Sequence, residues 1–160
     1  MRHMLRTLLP TLLLLGACSS PWTWMGEAST LASVPLECPE RDIVTEQTSG
    51  FTFDSVGCGR AVRQSCRDRT CTPIGEVSPA ETYATLNTRA TTLHAQLTGR
   101  GPEIAQACGN GAPLTVKMLI APDGAFEHIY ADSSTRDCLT GLIGQLAPGS
   151  AHVLLTHTFQ

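Results

Sequence analysis

The stretch 114-LTVKMLIAPDGAFEHIYA-131 decides how the second half of this chain is read. Leu114, Val116, Met118 and Ile120 alternate with Thr115, Lys117 and Leu119, the period of a strand with one buried face. Pro122-Asp123-Gly124 supplies hairpin turn chemistry, and Phe126, His128 and Tyr130 alternate with Glu127, Ile129 and Ala131 in a return strand. Downstream, Asp132 to Ser134 offer helix caps ahead of an amphipathic stripe of Leu139, Leu142, Ile143 and Leu146, which Pro148-Gly149 stops. Val153, Leu155 and Phe159 form a third alternating strand. Upstream, Glu81 to Gly99 contains no internal Gly or Pro, and Tyr83, Leu86, Ala90, Leu93 and Leu97 recur every three or four residues. Ser78 is the expected N-cap of this helix, with Pro79 at its first position. Arg100-Gly101-Pro102 breaks it, and Glu103 to Ala107 suit one further helical turn. The order is helix, strand, strand, helix, strand over residues 78–160. Three strands with apolar faces need helices laid over them, so this part is α+β.

Residues 37–77 read as a separate, smaller β module. Ile43-Val44, Phe51 with Phe53 and Val56, Ala61-Val62, and Ile74 are separated by turns at Thr48-Ser49-Gly50, Gly57-Cys58-Gly59 and Arg67-Asp68-Arg69-Thr70, a four-stranded meander. So few large apolar side chains cannot stabilise some 40 residues by burial alone, and cross-links are expected. Six cysteines beyond Cys18 allow 15 pairings. Facing residues of a hairpin share a constant index sum: Cys38 with Cys58 centres on the turn near residue 48, and Cys66 with Cys71 brackets a four-residue loop. Cys108 is left for Cys138. The spacings lack the paired Cys-x2-Cys knuckles of zinc folds, and no Cys-x-x-Cys redox motif occurs, so neither metal nor cofactor is expected.

Two resemblances rest on these residues. Cys108 before a strand, the Asp-Gly hairpin, the Ser-rich helix entry, Cys138 in the helix and a last strand ending at Phe159 resemble the TonB-like C-terminal domain of the AgmX/PglI type, found in myxobacterial gliding proteins. The resemblance implies a three-stranded sheet backed by helices, and protein contacts in the periplasm. The Tyr-Pro motif of energy-transducing TonB domains is missing. Cys38-Pro39, Gly57-Cys58-Gly59-Arg60, Cys66 and Cys71 resemble a cysteine module of myxobacterial envelope proteins.

The N-terminus fixes the expected compartment. Arg2, His3 and Arg6 precede an apolar run of Leu8, Leu9 and Leu12 to Leu15, too short to span a bilayer and fitting a signal peptide over residues 1–17. Leu15-Gly16-Ala17-Cys18 resembles a bacterial lipobox, which implies lipidation of Cys18, including palmitate-type acylation, and cleavage before it. Ser19, where an aspartate retains lipoproteins in the inner membrane, implies an outer-membrane lipoprotein facing the periplasm. Residues 18–36, with Pro21, Pro35 and many small side chains, read as a lipidated N-terminus and flexible linker, and Trp22 and Trp24 suit a headgroup region. Without Arg2 and Arg6, nine basic residues face fourteen acidic ones; a net charge near −5 argues against nucleic acid.

Catalytic signatures are absent: there is no Gly-x-Ser-x-Gly, P-loop or dinucleotide fingerprint, and His94, His128, His152 and His157 are too scattered for a metal motif. The expectation is a non-enzymatic lipoprotein that binds an envelope protein, in a motility or transport setting. An extended partner segment would add to a strand edge, either His152–Phe159, presenting His152, Leu154, Thr156 and Thr158, or Phe126–Ala131. Arg60, Arg63, Arg67 and Arg69 form a second expected contact set, for phosphate or carboxylate groups of a partner or lipid headgroup. Two alternatives stand beside it: a small envelope enzyme assembled from His128, Asp123 and Ser134, or a structural envelope lipoprotein.

Overall fold

The computed structural model describes residues 21–68 and 70–160; the signal peptide, Cys18, Ser19 and Arg69 lie outside the described residues. The protein is α+β: four α-helices and one antiparallel sheet of eight strands among the described residues, closed by three disulfides.

The meander of the first half is β1 (Val44–Ser49), β2 (Thr52–Gly57), β3 (Arg60–Arg67) and β4 (Thr70–Pro73). Cys58 and Gly59, both with positive φ (51° and 76°), make the two-residue turn between β2 and β3. That mirror-image turn matches the twist of the flanking strands. Gly57 is required beside it, because a Cβ there would come within 2.9 Å of the Asp42 carbonyl and 3.0 Å of Cys38 Sγ. Cys38–Cys58 and Cys66–Cys71, the pairs expected from hairpin spacing, and Cys108–Cys138, the pair that remained, are bonded.

The second half contributes β6 (Leu114–Ile120), β7 (Phe126–Tyr130) and β8 (Val153–Phe159), with helices α2 (Ala84–Thr98), α3 (Gly101–Cys108) and α4 (Ser133–Leu142). Asp132 caps α4, its Oδ1 accepting from Thr135 N at 3.0 Å. Ser78 does not cap α2. Ser78 and Pro79 form a short strand, β5, against Ala61 and Arg60, and a 3-10 turn over Ala80–Tyr83 leads into the helix. The residue before a proline is pushed to extended backbone, and the β3 edge beyond β4 was open to receive it.

The division into a β module at 37–77 and a TonB-like domain at 78–160 does not hold as two sheets. The order is β4-β3-β2-β1-β8-β6-β7, with β8 pairing β1 on one side and β6 on the other. Val44 faces Leu155, and Val44, Val56 and Ala61 join Leu86, Leu93, Leu97, Val116, Met118 and Phe159 in one core under α2, α3 and α4. A thin meander with few apolar residues gains its interior by sharing that of its neighbour.

The expected linker is also corrected. Residues 21–36 form helix α1 (Pro21–Leu36), packed on the other face of the sheet. Met25, Ala28, Ala32 and Leu36, spaced by three and four, are fully buried against Phe53, Leu119, Leu154, Ile43 and Val62. Pro21 costs nothing at a first helical position, where an N–H has no intrahelical partner. Small residues let the helix axis approach the sheet closely. Glu37, at φ 51°, ends α1: Cys38 N–H donates to Ser33 O and Glu37 N–H to Val34 O, a left-handed cap. Trp24 packs edge-on to Phe51 at 5.9 Å between ring centres, so it belongs to the fold.

Candidate functional site

Strand pairing fixes two ends of the molecule. The start of α1, the β1–β2 turn at Gly50-Phe51, the β3–β4 turn and the Pro122–Gly124 turn share one end; the C-terminal ends of α1 and β8 share the other. A 16-residue helix is about 24 Å long, so α1 runs most of the way between them.

The expected binding strand His152–Phe159 is not an edge. β8 is paired on both sides, Leu154 is buried beneath α1, and Thr158 bonds Thr115 across β6 at 2.9 Å. Thr156 is half-buried, and His152 pairs with Glu127 of β7 at 2.7 Å. The tertiary fold inserts this strand in mid-sheet because both of its faces are apolar enough to be covered: Val153, Leu155 and Phe159 on one, Leu154 on the other. The edges are β4 and β7. β4 is four residues long, contains Pro73 and is stapled through Cys71, devices that blunt an edge. β7 has none of these. Its His128 and Tyr130 rings meet edge-to-face at 4.4 Å, on the same face of the sheet as the Leu119 side chain that α1 covers, and Tyr130 is 44% exposed. Burial and the nearby Glu127 carboxylate raise the Tyr130 pKa, so its hydroxyl stays a donor at neutral pH.

Arg60, Arg63 and Arg67, the described members of the expected arginine set, do not form one patch; Arg69 lies outside the described residues. Arg60 and Arg63 are three apart on a strand and so point to opposite faces. Arg60 reaches Glu37 at 3.1 Å, whereas Arg63 forks onto the buried Asp54 with two 2.7 Å bonds and lies over the Tyr83 ring. Arg67 is exposed at the β3–β4 turn.

His128, Asp123 and Ser134 are each occupied locally. Asp123 accepts from Ala125 N at 2.9 Å, Ser134 donates to Asp132 at 2.6 Å, and His128 stacks on Tyr130. These bonds serve turn and cap, and they do not link the three into one relay.

What the spacing of histidines hid is a contact between His94 of α2 and His157 of β8. Their Nδ1 atoms are 3.3 Å apart and their rings 5.6 Å. His157 is buried, stacking on Phe159, and its pKa is pushed down to about 4, by burial first and then by His94. Burial also lowers that of His94, with Asp42 opposing. Both rings are therefore neutral at pH 7. They open on a cavity of about 450 Å³ lined by Arg41, Asp42, Thr98 and Thr158. The signal was present in the sequence: residue 157 occupies an inward position of the Val153, Leu155, Phe159 alternation.

Comparison with protein-family models, with curated proteins and with solved structures finds no match. Function therefore has to be argued from the surface itself. No helix among the described residues is long and apolar enough to cross a membrane.

Proposed function

We propose that this chain is a lipid-anchored protein of the bacterial envelope, non-enzymatic, whose β7 edge receives an extended segment of a partner protein. The observation that carries the reading is the sheet order: it ends at β7, a strand that contains neither proline nor a disulfide cysteine. Backbone donors and acceptors of that edge would supply affinity, and the His128–Tyr130 pair beside it would supply side-chain contact. Three disulfides support an oxidising compartment and hence export. The order α2, α3, β6, β7, α4, β8 is compatible with a TonB-like domain, and a motility or transport assembly of the outer membrane is the setting which that resemblance suggests. Cys18 lies three residues before α1, so a lipid there would hold the Phe51 and Arg67 end toward the bilayer. Two acyl signals are needed for stable anchoring, and anchoring raises the local concentration of a weak binder.

Photocrosslinking in cells tests the edge. A photoreactive phenylalanine replacing Tyr130 should give a discrete protein adduct, and the same group at Thr70 on β4 or at Val34 on α1 should not. Equal adducts from all three positions, or none from Tyr130, would refute the assignment. Intact mass of the purified protein tests the anchor separately: a diacyl or triacyl mass shift, lost in Cys18→Ser, is expected.

A further inference from the structure

We infer, resting on the lipid anchor proposed for Cys18, that the β1–β2 hairpin tip at Phe51 and Trp24 of α1 form a bilayer-contact surface seated among phospholipid headgroups. Covalent reach sets the geometry. From Cys18 to Pro21 is three residue steps, at most about 11 Å when fully extended. Acyl chains on Cys18 hold its sulfur at the bilayer surface, so the first turn of α1 stays within that reach of lipid. Trp24 lies three residues, about 4.5 Å, further along the helix. Its ring meets Phe51 edge-on at 5.9 Å between centres, which places the hairpin tip beside the tethered end of the helix.

Composition and exposure at the tip fit lipid. Gln47 to Phe53 carry no charge, and neither does the chain from Ser19 to Gly26. No ionised group of these segments has to lose water when this end meets the bilayer. Phe51 is 50% exposed at the turn, whereas Phe53, two residues on, is fully buried. Aromatic side chains gain most at the boundary between headgroups and acyl chains, and a ring already packed on half-buried Trp24 loses little freedom on entering it. Cys66 N–H donates to the Phe51 carbonyl at 2.9 Å, so the exposed Arg67 follows directly beside the tip, within reach of lipid phosphate. Asp68, exposed next to it, offsets that charge, and the contact is chiefly apolar. Val34 is more exposed than Phe51, at 77%, but lies ten residues, about 15 Å, beyond Trp24 along α1 and away from the tether. An acyl anchor alone leaves a protein free to turn on the membrane; a seated tip fixes how this one stands.

The test uses the full chain, disulfides intact, lipidated in the producing cell and reconstituted in vesicles of phosphatidylethanolamine and phosphatidylglycerol. A photoreactive phenylalanine replacing Phe51 should give phospholipid adducts on irradiation, and the same group replacing Val34 should give none. A second measurement leaves the tip unaltered: Trp22→Phe makes Trp24 the sole tryptophan, and vesicles of brominated phospholipid should quench its fluorescence relative to unbrominated ones. Intact mass, read first, separates the two ideas. A mature chain with no diacyl or triacyl mass shift removes the anchor and this contact together. A lipidated chain with no lipid adduct from position 51, equal adducts from positions 51 and 34, or no quenching of Trp24 overturns the contact alone and leaves the anchor standing.

Discussion

Leu36→Ala is the most discriminating perturbation of the fold. Leu36 ends the α1 stripe at 0% exposure, packed with Ala32, Cys38, Ile43 and Val62. In a flexible linker the same truncation would be silent. In a docked helix it removes a buried side chain and leaves a cavity, and such changes cost about 2–5 kcal/mol. The site lies where α1 hands over to the Cys38–Cys58 bridge, which holds the surrounding backbone in place, so little collapse into the gap is available. A cost of about 3 kcal/mol follows, or roughly 6–12 °C in Tm for a chain of this length. Val34→Ala, two residues earlier at 77% exposure, is the control and should change stability by less than about 0.5 kcal/mol. Urea unfolding followed by circular dichroism measures both. Equal midpoints for the two variants would show that α1 does not rest on the sheet, and would remove the covering from Phe53 and Leu154.

Replacing Cys108 and Cys138 together by Ser opens a loop with sequence separation 30 and should cost about 3–4 kcal/mol in the chain-entropy model, read by the same unfolding curve; the Cys66, Cys71 pair, separated by 5, should cost only about 2. Removal of either partner of the Arg63–Asp54 fork has unequal effects. Arg63→Ala strands a carboxylate whose side chain is 3% exposed and should cost about 2–3 kcal/mol, whereas Asp54→Asn frees a guanidinium that already reaches water and should cost less. The histidine pair makes stability fall with acid: below an unfolded pKa of about 6.5 the unfolded chain takes up protons that folded His157 refuses until about pH 4, so Tm should drop through that window and drop less in His157→Gln. Gly124→Ala should be severely destabilising, because Gly124 has φ 88° and an added Cβ would fall 2.0 Å from the Leu146 carbonyl; expression and Tm will show it.

Much of the local structure was legible from residue order. The alternation of Leu114–Ile120, the Asp-Gly turn and the caps at Asp132 each act over a few residues, so their neighbours in sequence decide them. The Cys38–Cys58 and Cys66–Cys71 pairs followed from hairpin symmetry for the same reason, and Cys108–Cys138 by elimination. The α1 helix was missed because Pro21, Pro35, Gly26 and a run of small residues carry a weak helical signal; its stability comes from the sheet beneath it. Arg60 and Arg63 looked like one cationic cluster until strand alternation separated them onto two faces.

Sequence by itself determined the α+β class, the meander, the cysteine bridges and the expectation of export, all properties set by short-range spacing or by composition. Only the tertiary structure decided that β8 pairs with β1, and this one junction merges two expected units, buries Leu154 and leaves β7 rather than β8 at the rim. It also brought His94 within reach of His157 across 63 positions of chain. Contacts at that separation depend on which strand edges find each other after local elements form, and no spacing rule along the chain encodes that choice.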